Sequence, residues 1–198
     1  MHNKDTYHHG HLKEALVTAA LSQLDTRGPD HFSMREVARQ AGVSAAAVKH
    51  HFTGITGLLT EIATRGHNAL AARLEAAYPQ GQEVPSDFLA DMGLAYLKFA
   101  LEHRGMFLVM FRKDLIDPDN PTHQIAGSRS FAALDQAAQL YLERVNPGAH
   151  GSAEQIALGA WSLVHGAAHL VLDGKVARGL TTEETLAMFR PVFAAYRP

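Results

Sequence analysis

The chain has 198 residues, 46% of them hydrophobic, with 18 Lys and Arg against 20 Asp and Glu. That length holds one domain or two small ones, at roughly 100–200 residues each, and that apolar share suffices for a core and argues against disorder. The absence of cysteine excludes disulfides, iron–sulfur clusters, thiolate zinc sites and a cysteine nucleophile. A net charge of −2 gives no bulk attraction to nucleic acid, so DNA binding needs a local argument.

Ala and Leu total 55 residues while Val and Ile total 16. Strong helix formers dominate, so the expected class is all-α. The polar start, with no apolar core, does not read as a secretory signal, and the default compartment is the cytoplasm. A first helix is predicted from about His11 to Arg27, with Leu12, Leu16, Ala19, Ala20 and Leu24 at helical spacing. Gly28-Pro29-Asp30 stops it. Ser33-x-x-Glu36 reads as a capping box opening a short second helix that Gly42 ends. Ser44 caps a third, Ala45 to about His51. A longer helix follows Thr53-Gly54 to about Ala77. Ser86 is expected to cap a fifth to about Glu102, and Arg104-Gly105 to start a sixth to about Lys113. A seventh runs from about Thr122 to Val145. Ser152-x-x-Gln155 caps an eighth to about Leu172, and Thr181-x-x-Glu184 a ninth to about Tyr196. Nine helices and no strand are expected. Tyr78 to Pro85 is the clearest linker, so the domain junction is expected within or after the fourth helix.

Residues 33–52, SMREVARQAGVSAAAVKHHF, form the first constellation. Two short capped helices meet at Ala41-Gly42-Val43, where Gly42 permits the sharp turn. Such a pair presents its second helix to the DNA major groove, with its N-terminal side chains nearest the base edges. The alternative is an ordinary helical hairpin.

Tyr7-His8-His9-Gly10, Ala15 to Ala20, Arg27-Gly28-Pro29 and Ser33 to Phe52 together resemble the N-terminal domain of TetR-type transcriptional repressors. Trp161-x-x-x-His165-Gly166 resembles the Trp-His-Gly motif of one C-terminal subgroup of that family. The resemblance implies a two-domain repressor: a three-helix helix-turn-helix head, residues 1–55, and a six-helix ligand-binding and dimerising body, residues 56–198. The implied DNA-contacting residues are Tyr7, Ser33, Arg35, Ser44, Ala45, Ala46, Lys49, His50 and His51. The sequence departs from the family pattern in two places. Lys49 stands where the recognition helix usually has Tyr, and Ile55 where the fourth helix usually starts with a phosphate-binding Lys. One phosphate contact is thereby lost, and a cation able to reach a guanine edge or a phosphate is gained.

The stretch Gln155 to Leu172 is 18 residues without a charge. Its Gln155, Ser162, His165 and His169 would be costly in lipid, so a buried soluble helix is expected and no membrane partner. A helix apolar all round must be covered on every side. Two-fold pairing is therefore expected through Gly159, Leu163, Gly166, Ala167 and Leu170 with Leu186, Phe189, Val192 and Phe193 of the last helix. Aromatic and Met residues of the middle helices are either plain core or the lining of an apolar pocket. The expected ligand-binding residues are Met92, Tyr96, Met106, Phe107, Met110, Phe131, Trp161 and His165. His165, His169 and Asp173 share a helix face, but i and i+8 stand about 12 Å apart along the axis, so no metal site is expected. No cofactor is expected, and no nucleophile elbow, phosphate loop or zinc-protease motif is present, which argues against an enzyme. The expected partners are a palindromic double-stranded DNA operator, a second copy of the chain and a small-molecule effector.

Overall fold

The computed structural model describes residues 5–79, 81 and 83–198, with side chains from Leu12 onward except at Ala45. Among the described residues there are nine α-helices and no strand. They are α1 (Asp5–Arg27), α2 (Met34–Gln40), α3 (Ala45–His51), α4 (Gly54–Ala77), α5 (Phe88–Glu102), α6 (Arg104–Met110), α7 (Pro121–Leu140), α8 (Ala153–Leu172) and α9 (Thr182–Ala194). A 3₁₀ turn, Pro29–His31, follows α1, and a π turn, Tyr141–Val145, takes the place of the predicted last turns of α7.

The chain divides into two compact units, residues 1–66 with 103–125, and residues 67–102 with 126–198. The head is expected to cover residues 1–55 and to pass through the fourth helix into the body, and this division falls further along, after Gly66. It lies inside α4, and α6 joins the N-terminal unit because α1 packs on it. Gly105 makes that contact close: a Cβ there would lie 2.7 Å from Leu24 Cβ and 2.8 Å from the Asp25 nitrogen. The Gly105 N–H donates to Asp25 Oδ1 at 2.6 Å, and Arg112 reaches Asp30 Oδ1 at 3.2 Å. Leu16, Ala20, Leu24, Val37, Val48 and Ile62 are buried in this unit at 1% exposure or less.

Several helix ends form as the sequence predicts. Ser44 Oγ accepts from Ala47 N–H at 3.2 Å. Ser152 with Gln155 and Thr181 with Glu184 close full capping boxes. Two predicted caps do not form. The Ser33 backbone N–H donates instead to a group outside the helix, the side-chain carbonyl of the buried Gln23, whose amide also reaches the Ser33 carbonyl. Glu36, the expected reciprocal partner, holds Arg39 through two hydrogen bonds. Ser86 lies before α5 in a turn where Phe88 N–H bonds the Pro85 carbonyl, and its own carbonyl accepts from Arg197 at 2.8 Å.

In the second unit α5 packs on both α8 and α9. Gly93 lets them approach: a Cβ there would meet Phe193 and Val164 carbons at 3.0 Å. Met92, Tyr96, Leu97, Phe99, Ile156 and Phe193 are buried around that contact.

Candidate DNA-binding and ligand-binding sites

The turn between α2 and α3 is built as a helix-turn-helix needs. Gly42 adopts φ 70°, in the left-handed region that favours glycine, and Val43 N–H returns to the Ala38 carbonyl at 3.0 Å. Val48 is buried at 1% exposure, which fixes the rotation of α3. Among the described side chains of α3 the exposed ones are then Ala46, Lys49 and His50, at i, i+3 and i+4 on one face. Ser44 is exposed at its N-terminus, and Arg35 and Arg39 are exposed on α2. Ser33 is half-buried. The side chains of Tyr7 and Ala45 lie outside those described. His51 is not on the reading face. At 100° per residue it points about 150° away from the centre of that face, half-buried in the wall of a cleft with Lys13 and Phe52.

Charge on the head is partly spent internally. Lys13 pairs with Glu61 at 3.0 Å. Arg65 bridges Glu61 at 2.8 Å and Glu14 at 2.6 Å. Hydrogen bonds from Arg65 hold Glu14 below the usual carboxylate range. Among the described residues of the head, Arg27, Arg35 and Lys49 form no ion pair.

The second unit carries an aromatic and imidazole cluster. Trp161, His165 and His169 recur every four residues along one face of α8. Phe131 of α7 meets Trp161 edge-on at 6.3 Å, Trp161 lies 5.6 Å from His165, and His165 lies 4.7 Å from His169. Tyr96 Oη and His165 Nδ1 are 2.8 Å apart. Burial pushes the Tyr96 hydroxyl well above its ordinary range. Burial, helped by the neighbouring His169, lowers His165 to about 4, so its ring is neutral at pH 7. The Trp161 indole N–H donates to the Tyr96 oxygen. Tyr96 Oη and His165 Nδ1 share one hydrogen bond, whose direction follows the imidazole tautomer. The result is an uncharged, largely apolar wall with an ordered polar chain.

The other expected ligand residues are placed differently. Met92 is buried in the second unit, whereas Met106, Phe107 and Met110 belong to the first. Gly66 of α4 lies against Met110 and Met106, where a Cβ would be 2.7 Å from Met110 Cγ and 2.8 Å from Met106 Cγ. Phe107 is buried edge-on to Phe111. Among the described residues no three His, Asp or Glu side chains gather closely enough to hold a metal ion.

The expected pairing surface needs correction. Ala167 on α8 and Phe189 and Phe193 on α9 are buried within the chain, where α5 packs on both helices and its Gly93 lies against Phe193. Gly159 is covered by the chain's own Tyr196, whose hydroxyl donates to the Ile156 carbonyl at 3.1 Å. Gly166 and Leu170 are exposed and Leu163 is half-buried. Val192 on α9, one of the residues expected to pair, is exposed, and the exposed apolar side chains that residue spacing missed on these helices are Leu158 on α8 and Met188 on α9. By length and composition alone α8 is also apolar enough to cross a membrane.

The fold and the reading face define a helix-turn-helix DNA-binding protein. Residues 16–62 match the model for bacterial regulatory proteins of the TetR family, and residues 89–196 match the tetracyclin repressor-like C-terminal domain. The chain belongs to the TetR family and is a DNA-binding transcriptional regulator. The Trp-His-Gly likeness gains no separate support from these matches. A Rhodococcus sp. RHA1 protein of unknown function is 31% identical, with a TM-score of 0.74 over 96% of this chain and 97% of that one. The regulator PfmR from Thermus thermophilus superposes at a TM-score of 0.70 with 17% identity, covering 92% and 95%. NalD of Pseudomonas aeruginosa, the secondary repressor of the MexAB-OprM multidrug efflux pump, superposes at 0.61 with 18% identity, covering 93% and 94%. No curated protein matches the sequence.

Proposed function

We propose that the protein is a homodimeric repressor that occupies a palindromic operator and releases it when a small, largely apolar, uncharged molecule binds the C-terminal body. Residues 1–55 read DNA and residues 56–198 bind the ligand and dimerise. The exposed triad Ala46, Lys49 and His50, set on a helix-turn-helix whose turn glycine has the required positive φ, is the observation that carries the reading. Direct base contact comes from Lys49 and His50, with Ser44, Arg35 and the N-terminal residues toward the phosphates. Leu158, Leu170, Met188 and Val192 are between 39% and 54% exposed on α8 and α9. An apolar face of that kind is covered in solution, and a second copy meeting it about a two-fold axis supplies the symmetry that a palindrome mirrors.

The neutral state of His165 and the protonated state of Tyr96 favour an uncharged effector near Trp161, because a buried ionic ligand would meet no countercharge there. Such a ligand releases DNA only by binding the DNA-incompetent state more tightly. A protein of this function works in the cytoplasm, where the DNA is. A gel-shift titration against the DNA flanking its own gene tests the reading. A discrete complex protected over two half-sites one or more helical turns apart supports it. Binding no tighter than to random DNA of the same length refutes it.

A further inference from the structure

The cleft that receives His51 belongs wholly to the N-terminal unit. It encloses about 280 Å³ between the end of α3, the first half of α4, Lys13 of α1 and the segment 117–122. It sits just below the ~300–1,000 Å³ of drug-sized pockets, so it suits a single ring or something smaller. Phe52 forms an apolar base, with Lys13 Nζ 5.8 Å from its ring centre. Gly57 keeps one wall open, since a Cβ there would crowd Thr53 Oγ1.

The rest of the lining is polar. Thr60 Oγ1 donates to the Thr56 carbonyl at 2.7 Å and accepts from the Asp117 N–H at 2.8 Å. Thr64 Oγ1 donates to the Thr60 carbonyl at 2.7 Å and stands 3.5 Å from His123 Nδ1. These bonds tie the 117–122 segment to α4 and give the cleft a firm wall. Thr53, Asn120 and Thr122 complete the polar lining, and Asn120 Oδ1 accepts from the His123 N–H at 3.1 Å.

Its charge is also defined. Lys13, Glu61, Arg65 and Glu14 form a chain of alternating ion pairs that sums to zero. Asp117 stands outside that chain. Its Oδ1 accepts the Asp119 N–H at 3.1 Å, and no Lys or Arg among the described residues pairs with it. His123, next to this segment, is lowered by burial and so is neutral at pH 7. The cleft is therefore hydroxyl-rich with one uncompensated negative charge, which disfavours phosphate and other anions and leaves a place for an ammonium group.

We propose that this cleft is a second small-molecule site, distinct from the effector site of the body, that accepts a compact polyhydroxylated amine. Its occupant touches His51, Phe52 and Thr53, within one turn of Lys49 on the reading helix.

The test is amide NMR titration of the full chain with D-glucosamine, D-glucose and inorganic phosphate as probes at constant ionic strength. Glucosamine should shift resonances of residues 51–64 and 117–122, and glucose should do so about fivefold more weakly, the range of one exposed ion pair. Phosphate should leave them unmoved. Asp117→Asn keeps the Oδ1 acceptor for Asp119, so the fold is retained, and it should bring the two sugars to equal affinity. Thr122→Val should weaken both. Absence of shifts with glucosamine at tens of millimolar, equal binding of the two sugars to the unaltered chain, or a phosphate response centred on the same residues would each overturn the proposal.

Discussion

Lys49 provides the sharpest test of how the head grips DNA. The head carries few cations, and the structure removes some of them: Lys13 is held by Glu61 and Arg39 by Glu36. Arg27, Arg35 and Lys49 remain among its described residues. If all three meet phosphate in each protomer of a dimer, log K against log salt should have a slope of about −5, from about −0.9 per phosphate. Between 50 and 200 mM salt, affinity should then fall by roughly a thousandfold. Replacing Lys49 with Ala in both protomers should flatten the slope by about two units if Lys49 meets phosphate. If it instead reads a guanine edge, the slope should hold, binding should weaken by about 1–3 kcal/mol for each half-site, and preference at one base pair should relax. Fluorescence anisotropy over a salt series, with a panel of operator variants, separates the two. Lys13→Ala is the control, because its charge is already committed to Glu61. A Lys49→Ala protein with unchanged slope and unchanged base preference, or a Lys13→Ala protein with a flatter slope, would refute this placement of the reading face.

Other outcomes follow from the packing. Leu158→Glu combined with Leu170→Glu should convert the dimer to monomer in light scattering at micromolar concentration, since both side chains are exposed in the protomer and a covered carboxylate has no partner there. Tyr96→Phe leaves His165 Nδ1 without its hydrogen-bond partner and should cost about 1–2 kcal/mol in urea unfolding. Acid should destabilise the protein through His165. Its folded value is about 4 against about 6.5 for an unperturbed imidazole, so between those values only the unfolded chain takes up the proton, and stability falls as pH drops through the window. The urea midpoint should fall less from pH 7 to pH 5 in His165→Gln than in the unaltered protein, and an equal fall in both would show that His165 does not titrate this way. Gly105→Ala should cost about 1–3 kcal/mol by forcing α6 off α1, whereas Gly127→Ala, with nothing within 4 Å of the new Cβ, should gain about 0.5–1 kcal/mol.

What residue spacing reveals, and what it hides, follows from where the deciding interactions lie. The turn at Gly42 and the caps at Ser44, Ser152 and Thr181 are local: donor and acceptor stand three to five residues apart, so residue order alone places them. The Ser33 cap fails for a non-local reason. Gln23, ten residues earlier and buried at 2% exposure, takes the same N–H, and no helical pattern announces a polar side chain that folds back. Helix faces divide in the same way. Val48 orients α3 because only one of its faces is apolar, so Ala46 and Lys49 are legible as readers while His51, close by in sequence, turns into the cleft. On α8 and α9 apolar residues extend around the helix, and periodicity has little to distinguish. There the choice is made by Gly93 on α5, which draws Phe193 and Val164 inward and leaves Leu158, Leu170, Met188 and Val192 outward. The polar chain from Trp161 through Tyr96 to His165 joins two helices distant in sequence. Its members are legible as polar residues in an apolar setting, but their order, and the burial that keeps the imidazole neutral, exist only once α5 lies against α8. The same rule explains the cleft beside α3. Thr60, Thr64 and Asp117 are ordinary residues in sequence, and they become a wall only when the segment after α6 is hydrogen-bonded back onto α4.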